Sequence, residues 1–419
     1  MRPRDSVTFN FVTRHSGILF CVVIAVVTLG QLLLRGPSGH YDIFADAARL
    51  AWNGQNPYGR EYQFGFYFYS LACAMYFFGL FAFLPYSLGL GAYMTISTGL
   101  FIVAATMAID RAQLRARTRS LFFFLITSEL IGAILNAKLE VAITAMNLGA
   151  LALCLRGGRR ARTVAFILLA AAANWKFQSL PMALLLLVYF VVARRDFLSP
   201  LVFGLGLAFL HFVPMVALGP ELFFAALAVW KESLSTYILT GDNWLSFQQI
   251  FSFSTKALHV SFSYLGTQVV SLLVAGALAV LAVLAARRSQ GRNDETDVLV
   301  LAGLAAGFAT TFSPLSQSAG FILYAPLLLA ALRLWELRTG RERQALSAAV
   351  GLGFFIISLM YSDFFPRHLR GEFLYYAVKP VGTLVLSLTV AIIWWRAPGR
   401  ASAVSTPPTP PATEGSHRP

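Results

Sequence analysis

About a dozen apolar runs follow one another along this chain, separated by short polar turns, and they limit it to one class of fold. Many approach the roughly 20 residues that a helix needs to cross a bilayer. Within lipid, only helices and closed barrels satisfy their own backbone hydrogen bonds. The sequence therefore predicts an all-α polytopic membrane protein whose apolar runs are 15–35, 65–84, 87–109, 120–135, 139–155, 163–175, 179–193, 197–219, 260–286, 298–312, 317–332, 345–361 and 375–396.

The composition agrees with lipid as the main solvent. Hydrophobic residues make up 57% of the 419 residues, charged residues only 12%, and the mean hydropathy is +0.67. A soluble domain carries roughly 25% charged residues. The net charge of +14 could indicate nucleic-acid binding, but the arginines stand in short groups between apolar runs. That distribution is typical of cytoplasmic loops, so we expect no nucleic-acid partner.

The arginine groups set the predicted topology. If all of them face the cytoplasm, the turns near 137, 177 and 314 face outward. Two full crossings between 65 and 109 would place Arg111 on the wrong side. We therefore expect one of the stretches 65–84 and 87–109, with 65–84 favoured, to be a non-crossing or interfacial helix. About twelve crossings remain, with both termini in the cytoplasm of a cell-membrane protein. The groups are residues 2–14, 111–119, 156–162, 194–195, 287–292, 333–343 and 396–400.

Residues 1–400 form one predicted membrane domain. Residues 401–419 are rich in Pro and Thr and contain only one large aliphatic side chain, Val404, so we expect a disordered cytoplasmic tail. The cysteines Cys21, Cys73 and Cys154 lie inside apolar runs without a CxxC spacing, which indicates neither a zinc site nor a disulfide framework.

The first outer loop holds the most informative polar residues. Asp42 and Asp46 are four residues apart, so on a helix they share a face and repel each other. Such repulsion favours a general base that works near neutral pH, and Arg49 could offset it. The alternative is a solvated interfacial helix that ends in a turn at Asn56-Pro57-Tyr58-Gly59.

Two lysines lie in turns that we expect to face outward. Lys138 and Lys176 run against the positive-inside bias, which makes them candidates for phosphate binding. Snorkelling to the headgroups, or a salt bridge with Glu140, explains them equally well.

Three further outward segments carry candidate residues, each with an ordinary structural alternative. The predicted loop 221–259 contains Asn243, Trp244 and Gln248, which suit sugar contacts but also a headgroup belt. Ser313-Pro314 ends a helix near Gln317 and exposes backbone groups, or is a plain turn. Arg370 belongs to a charged group that could hold a phosphate or lipid headgroups.

With these residues in order, residues 15–396 resemble the family 87 glycosyltransferases. The resemblance rests first on Asp42, an alanine-rich stretch and Gly54-Gln55-Asn56-Pro57-Tyr58, which matches Gly-x-x-Pro-Tyr. Lys176 with Pro181 is similar to a Lys-x-x-x-Pro element but one residue longer. Two weaker elements are similar to Asn243-Trp244-Leu245-Ser246 and Ser313-Pro314-Leu315-Ser316. Here Gln317-Ser318-Ala319 replaces the aromatic residue and histidines that usually follow.

The resemblance implies a GT-C-type bundle with a helix in its first outer loop. It implies transfer of a sugar, mannose in the family, from a polyprenyl-phosphate donor to a lipid or glycan acceptor among membrane lipids. Asp42 would be the general base, with Asp46 as a second acidic candidate. Lys176, Lys138 and Arg370 would stabilise the phosphate. No cofactor is indicated, and a divalent metal is optional. The residues expected to contact sugar or acceptor are Tyr58, Asn243, Trp244, Gln248, Ser313 and Gln317.

Two other functions fit the same sequence. A transporter or flippase for a lipid-linked or polar solute predicts charged residues buried in mid-membrane and a two-fold repeat of the helix pattern. A non-catalytic assembly protein predicts that Asp42 points into solvent, away from any cavity.

Overall fold

A computed structural model describes residues 20, 22–30, 39–63, 65–240, 264–289, 295–312, 318–359 and 372–396. Helices make up most of this part of the chain. Within it, β pairing is limited to an isolated bridge between Tyr62 and Gly65. The all-α class predicted from the apolar runs is therefore confirmed.

The helices follow the predicted runs closely, because each run is bounded by Gly, Pro or charged residues. Residues 22–30 are helical and precede the first labelled helix. The labelled helices are α1 Gly39–Trp52, α2 Cys73–Ala82, α3 Tyr86–Arg111, α4 Ala116–Leu135, α5 Glu140–Arg156, α6 Arg159–Trp175, α7 Leu180–Arg194, α8 Leu198–Phe212, α9 Pro220–Thr240, α10 Tyr264–Arg288, α11 Glu295–Phe312, α12 Ala325–Leu337, α13 Gly340–Phe354 and α14 Glu372–Trp395.

Seven helical segments among the described residues are long and apolar enough to cross a membrane, which supports a membrane protein. Four of them are α3, α4, α10 and α11. The others are α7 with the turn before it, α8 with its extension to Leu218, and α13 with its extension to Leu359. The predicted count of about twelve crossings and the GT-C arrangement stay predictions.

The turns between helices gather at two ends of the bundle. At one end, Arg162 pairs with Asp196 at 2.8 Å, and the backbone amide of Arg115 donates to Glu336 at 2.9 Å. We call this the arginine end, because all the described arginine groups between 111 and 343 border its turns. We call the opposite end the α1 end, because α1 packs there. Which end faces the cytoplasm stays a prediction.

The stretch 65–84 does not form a full crossing. Within it, α2 combines six π-helical and four α-helical residues, about 15 Å of helix, whereas a bilayer core is about 30 Å thick. α3 is 26 residues long and can cross. This geometry agrees with the interfacial helix that the topology required.

The predicted loop 221–259 was wrong in its first half, where α9 is a helix of 21 residues. The segment lacks internal Gly and Pro, so its helical propensity is high. Lys231 and Glu232 interrupt its apolar pattern, and that interruption made it resemble a loop.

The centre of the bundle is built from α5 and α11. α5 packs between α3 and α6, while α11 contacts α7, α12 and α14. Small residues allow these close approaches. A Cβ added at Gly303 on α11 would lie 2.8 Å from the Cβ of Ala330 on α12, which shows how near the two backbones are.

Candidate functional site

α1 is an amphipathic helix fixed against α2. Its buried side carries Phe44 and Ala48. The Trp52 indole donates to the Met75 carbonyl at 2.9 Å, and Arg49 Nε donates to the Ala82 carbonyl at 2.8 Å. The predicted loop-1 helix is therefore present and docked onto the bundle.

Asp42 and Asp46 lie on one face of α1, as their spacing predicted. Asp42 is half-buried and accepts a hydrogen bond from the Tyr86 hydroxyl. Burial raises the pKa of the Asp42 carboxyl, with a smaller contribution from Asp46. The main cause is thus desolvation rather than repulsion. Asp46 is exposed and pairs with Arg49 at 2.9 Å.

Both predicted phosphate-binding lysines that the structure describes belong to one buried group, which we call the lysine cluster: His40, Lys138, Glu140 and Lys176. Lys176 Nζ donates to Glu140 Oε1 at 2.5 Å. Lys138 Nζ lies 2.5 Å from His40 Nε2. The salt bridge with Glu140 predicted as an alternative is therefore present for Lys176.

Local backbone geometry aims Lys138 at this cluster. α4 ends at Leu135, and Ala137 has φ +46°, in the left-handed region. The amide of Lys138 donates to the Ala133 carbonyl at 2.9 Å, which closes the end of the helix. A left-handed alanine is strained, and such strain is common at functional sites.

The charge states within the cluster follow from burial. Desolvation and the neighbouring Lys138 lower the pKa of His40 to about 4, so its imidazole is neutral at pH 7. Burial lowers the pKa of Lys138 to about 8. Around the neutral imidazole, two lysines and one glutamate leave one net positive charge among these four residues. The second oxygen of Glu140 is buried and has no hydrogen-bond partner among the described residues.

The segment 56–70 connects the lysine cluster to a cavity. Lys176 Nζ lies 5.6 Å from the centroid of the Tyr69 ring. The Tyr58 hydroxyl donates to the Tyr69 carbonyl at 2.8 Å. Ser70 Oγ donates to Asn174 Oδ1, also at 2.8 Å. Tyr58, Ser70 and Asn174 all line the cavity, so the cluster and the cavity are neighbours across one layer of side chains.

The cavity has a volume of about 330 Å³ and lies between α6, α8, α9 and the 56–70 segment. Its wall is mainly apolar and aromatic, with Phe177, Phe223 and Trp230 among the lining residues. The Trp230 indole donates to the Phe68 carbonyl at 2.9 Å, which ties α9 to this site. Such a wall suits an apolar chain better than a sugar.

The structure does not bring all predicted site residues together. His40 and Asp42 are two residues apart on α1, about 200° around the helix axis. His40 faces the lysine cluster, while Asp42 faces Tyr86. Tyr58 is buried and lines the cavity. Arg370, Asn243, Trp244, Gln248, Ser313 and Gln317 lie outside the described residues.

One polar pair has no counterpart in the sequence predictions. Lys379 Nζ donates to both carboxylate oxygens of Glu129, at 2.9 and 3.0 Å, inside the bundle. Glu129 interrupts the apolar run 120–135, and a carboxylate at such a position is costly without a partner. The cost of an unpaired carboxylate in this apolar run therefore indicated that Glu129 has a cationic partner. Among the described residues, no three His, Cys, Asp or Glu side chains form a group that could hold a metal.

Comparisons with family models, with curated proteins and with solved structures returned no match to this chain.

Proposed function

We propose that this protein is a membrane glycosyltransferase that moves a sugar from a polyprenyl-phosphate donor to a lipid or glycan acceptor. The sequence resemblance suggests mannose as the sugar and the outer face of the cell membrane as the place. The observation that carries the proposal is the single net positive charge of the buried lysine cluster, beside an apolar cavity. A polyprenyl-phospho-sugar is a phosphodiester with one negative charge and an apolar chain, so it complements both features.

Asp42 is the proposed general base. A base must be ionised to accept a proton, and it works best when its pKa lies near the operating pH. Burial raises the pKa of Asp42 in that direction. The acceptor hydroxyl would approach the face of α1 that carries Asp42, next to Tyr86 at the start of α3. Lys138 and Lys176 would stabilise the leaving phosphate.

Purified protein, isotopically labelled polyprenyl-phosphate-mannose and a membrane lipid extract test this assignment. Asp42→Asn should reduce transfer by about 10²-fold or more, the usual contribution of a general base. Asp46→Asn is the matched control, since it removes a carboxylate one turn away that is exposed and paired with Arg49. Full transfer by Asp42→Asn would exclude Asp42 as the base, and no transfer by the wild type would count against the enzyme.

A transporter or flippase is the second candidate, and the buried pair Glu129–Lys379 favours it. Charged side chains inside the bundle are what a solute pathway predicts. Reconstituted vesicles with a fluorescent lipid-linked sugar distinguish the two functions. Movement of the label between leaflets without a new glycosidic bond supports transport, whereas a new bond supports the transferase.

A further inference from the structure

We propose that the cavity between α8 and α9 is a binding site for the apolar chain of a lipid phosphate, which enters from the bilayer past Gly204. This inference deepens the proposed function by assigning a position to the lipid part of the substrate. It rests on that function only for the identity of the ligand, because the shape and the lining residues of the cavity are observed independently of it.

The walls of the cavity are helices that face lipid. Gly204 and Leu207 of α8 line the cavity, and His211 lies one turn further along the same face. About 100–140° around the α8 axis from Gly204, Leu205 and Phe209 are 62% and 66% exposed. Only the thickness of one helix therefore separates the cavity from the surrounding lipid.

Gly204 leaves space in the cavity wall that a side chain at this position would fill. A Cβ built at Gly204 meets no atom of the described part of the chain within 4 Å, although the residue lines the cavity. Nearby on the same helix, a Cβ at Gly206 would approach Ala170 to 3.3 Å. The opening at Gly204 is therefore a local feature of the cavity wall and not a general looseness of α8.

The volume limits how much of a chain is enclosed. Binding pockets for small ligands span about 300–1,000 Å³, and this cavity, at about 330 Å³, lies at the lower end of that range. A polyprenyl chain is much longer, so only its first few units fit and the remainder extends into the bilayer. The aromatic side chains of Phe177, Phe223 and Trp230 provide flat apolar surface for those units.

Polar groups set the direction of the ligand. Asn174 and Ser70 lie at the side of the cavity nearest to Lys176, which is two residues beyond Asn174 on the chain. The phosphate is thus expected toward the lysine cluster, whose net charge is positive. An alcohol with the same chain lacks this attraction.

A photoactivatable C20 isoprenyl phosphate, with its diazirine on the first isoprene unit, tests the site on the full-length protein in nanodiscs. We expect crosslinks on α8 and α9, within 204–212 and 223–230, that unlabelled isoprenyl phosphate displaces. Gly204→Leu should weaken binding about tenfold, which corresponds to about 1.4 kcal/mol. Ala208→Phe is a second variant, which narrows the cavity from the same helix.

Gly99→Leu is the matched control, because Gly99 is also an exposed helical glycine with no atom within 4 Å of an added Cβ. It should bind as the wild type does. Equal labelling of all lipid-facing helices, or unchanged binding by Gly204→Leu and Ala208→Phe, would overturn the chain site. Equal affinity for the isoprenyl alcohol would overturn the assigned direction of the phosphate.

The assay contains no sugar, so its result is separate from that of the transfer assay. Crosslinking at α8 and α9 without transfer leaves the lipid site standing and removes the enzyme. Transfer without crosslinking at these helices keeps the enzyme and removes this site.

Discussion

The ion pair between Glu129 on α4 and Lys379 on α14 offers a quantitative test of how the bundle is held together. Its side chains are only 4% and 3% exposed, and Lys379 Nζ contacts both carboxylate oxygens. Lys379→Met keeps most of the stem and removes the charge, so a buried carboxylate loses its partner. We expect a loss of about 3–5 kcal/mol in the free energy of unfolding.

Removing both charges should cost far less than removing one. In Glu129→Leu/Lys379→Met, two apolar side chains of similar length fill the space, and such replacements are often neutral or stabilising. The assay is reversible unfolding by SDS in mixed micelles, with each single variant and the double variant compared at pH 7. A double variant as unstable as Lys379→Met, or a single-variant cost below about 1 kcal/mol, would refute the reasoning.

The pH dependence provides an independent check. In Lys379→Met, the lone carboxyl can bind a proton in the folded state that the unfolded chain does not bind at neutral pH. A protein that binds an extra proton when folded becomes less stable as the pH rises, by about 1.4 kcal/mol per unit. The deficit of the variant relative to the wild type should therefore shrink between pH 7 and pH 5. A constant deficit would indicate lost packing rather than an unpaired charge.

Three further outcomes follow from the α1 end. Because the pKa of His40 is lowered from 6.5 to about 4, the wild type should lose stability as the pH falls through that window, by about 1.4 kcal/mol per pH unit. In His40→Gln, the free energy of unfolding should change less over the same pH range, as measured by denaturation. Gly89→Ala places a Cβ 2.2 Å from the Tyr41 hydroxyl, so unfolding should become easier by about 1–3 kcal/mol, whereas Gly99→Ala, in open space, should be neutral or stabilising in the same assay. Trp230→Phe removes one indole hydrogen bond and should lower the unfolding free energy by about 1 kcal/mol.

Sequence patterns were sufficient to predict most of the described helices, because lipid imposes length and polarity on them, but the prediction of a loop at 221–259 missed α9. The loop-1 helix was expected from the family resemblance, and its residues Phe44 and Ala48 have the four-residue spacing that places both on one side of a helix. The charge pattern predicted that one of the stretches 65–84 and 87–109 does not cross, because Arg111 and its neighbours could not otherwise share a side with the remaining arginines. The short α2 agrees with the choice of 65–84. In each of these cases the prediction needs only the residues of one segment, or the number of crossings between successive arginine groups.

Contacts between residues distant in sequence were harder to predict. His40 and Lys138 are 98 residues apart, and Glu129 and Lys379 are 250 apart. No local pattern specifies which buried cation meets which acceptor, because that depends on how helices rotate against their neighbours. The rotation of α1 had a further effect: it separated Asp42 from the lysines by about half a turn, although all of them lie at the same end.

Among the described residues, the buried cations of these ion pairs differ between the two ends of the bundle, arginine at one and lysine at the other, and the difference has a physical reason. Arginine presents a planar fork that holds one geometry, as Arg162 does with Asp196 at the arginine end. A lysine ammonium is a compact point charge with three rotatable donors, so it can exchange partners with less rearrangement. Lys138 and Lys176 share their cluster with a single carboxylate, and an excess positive charge in a buried place is costly. An anion that enters this cluster would reduce that cost, and this is the physical basis of the proposed phosphate contact.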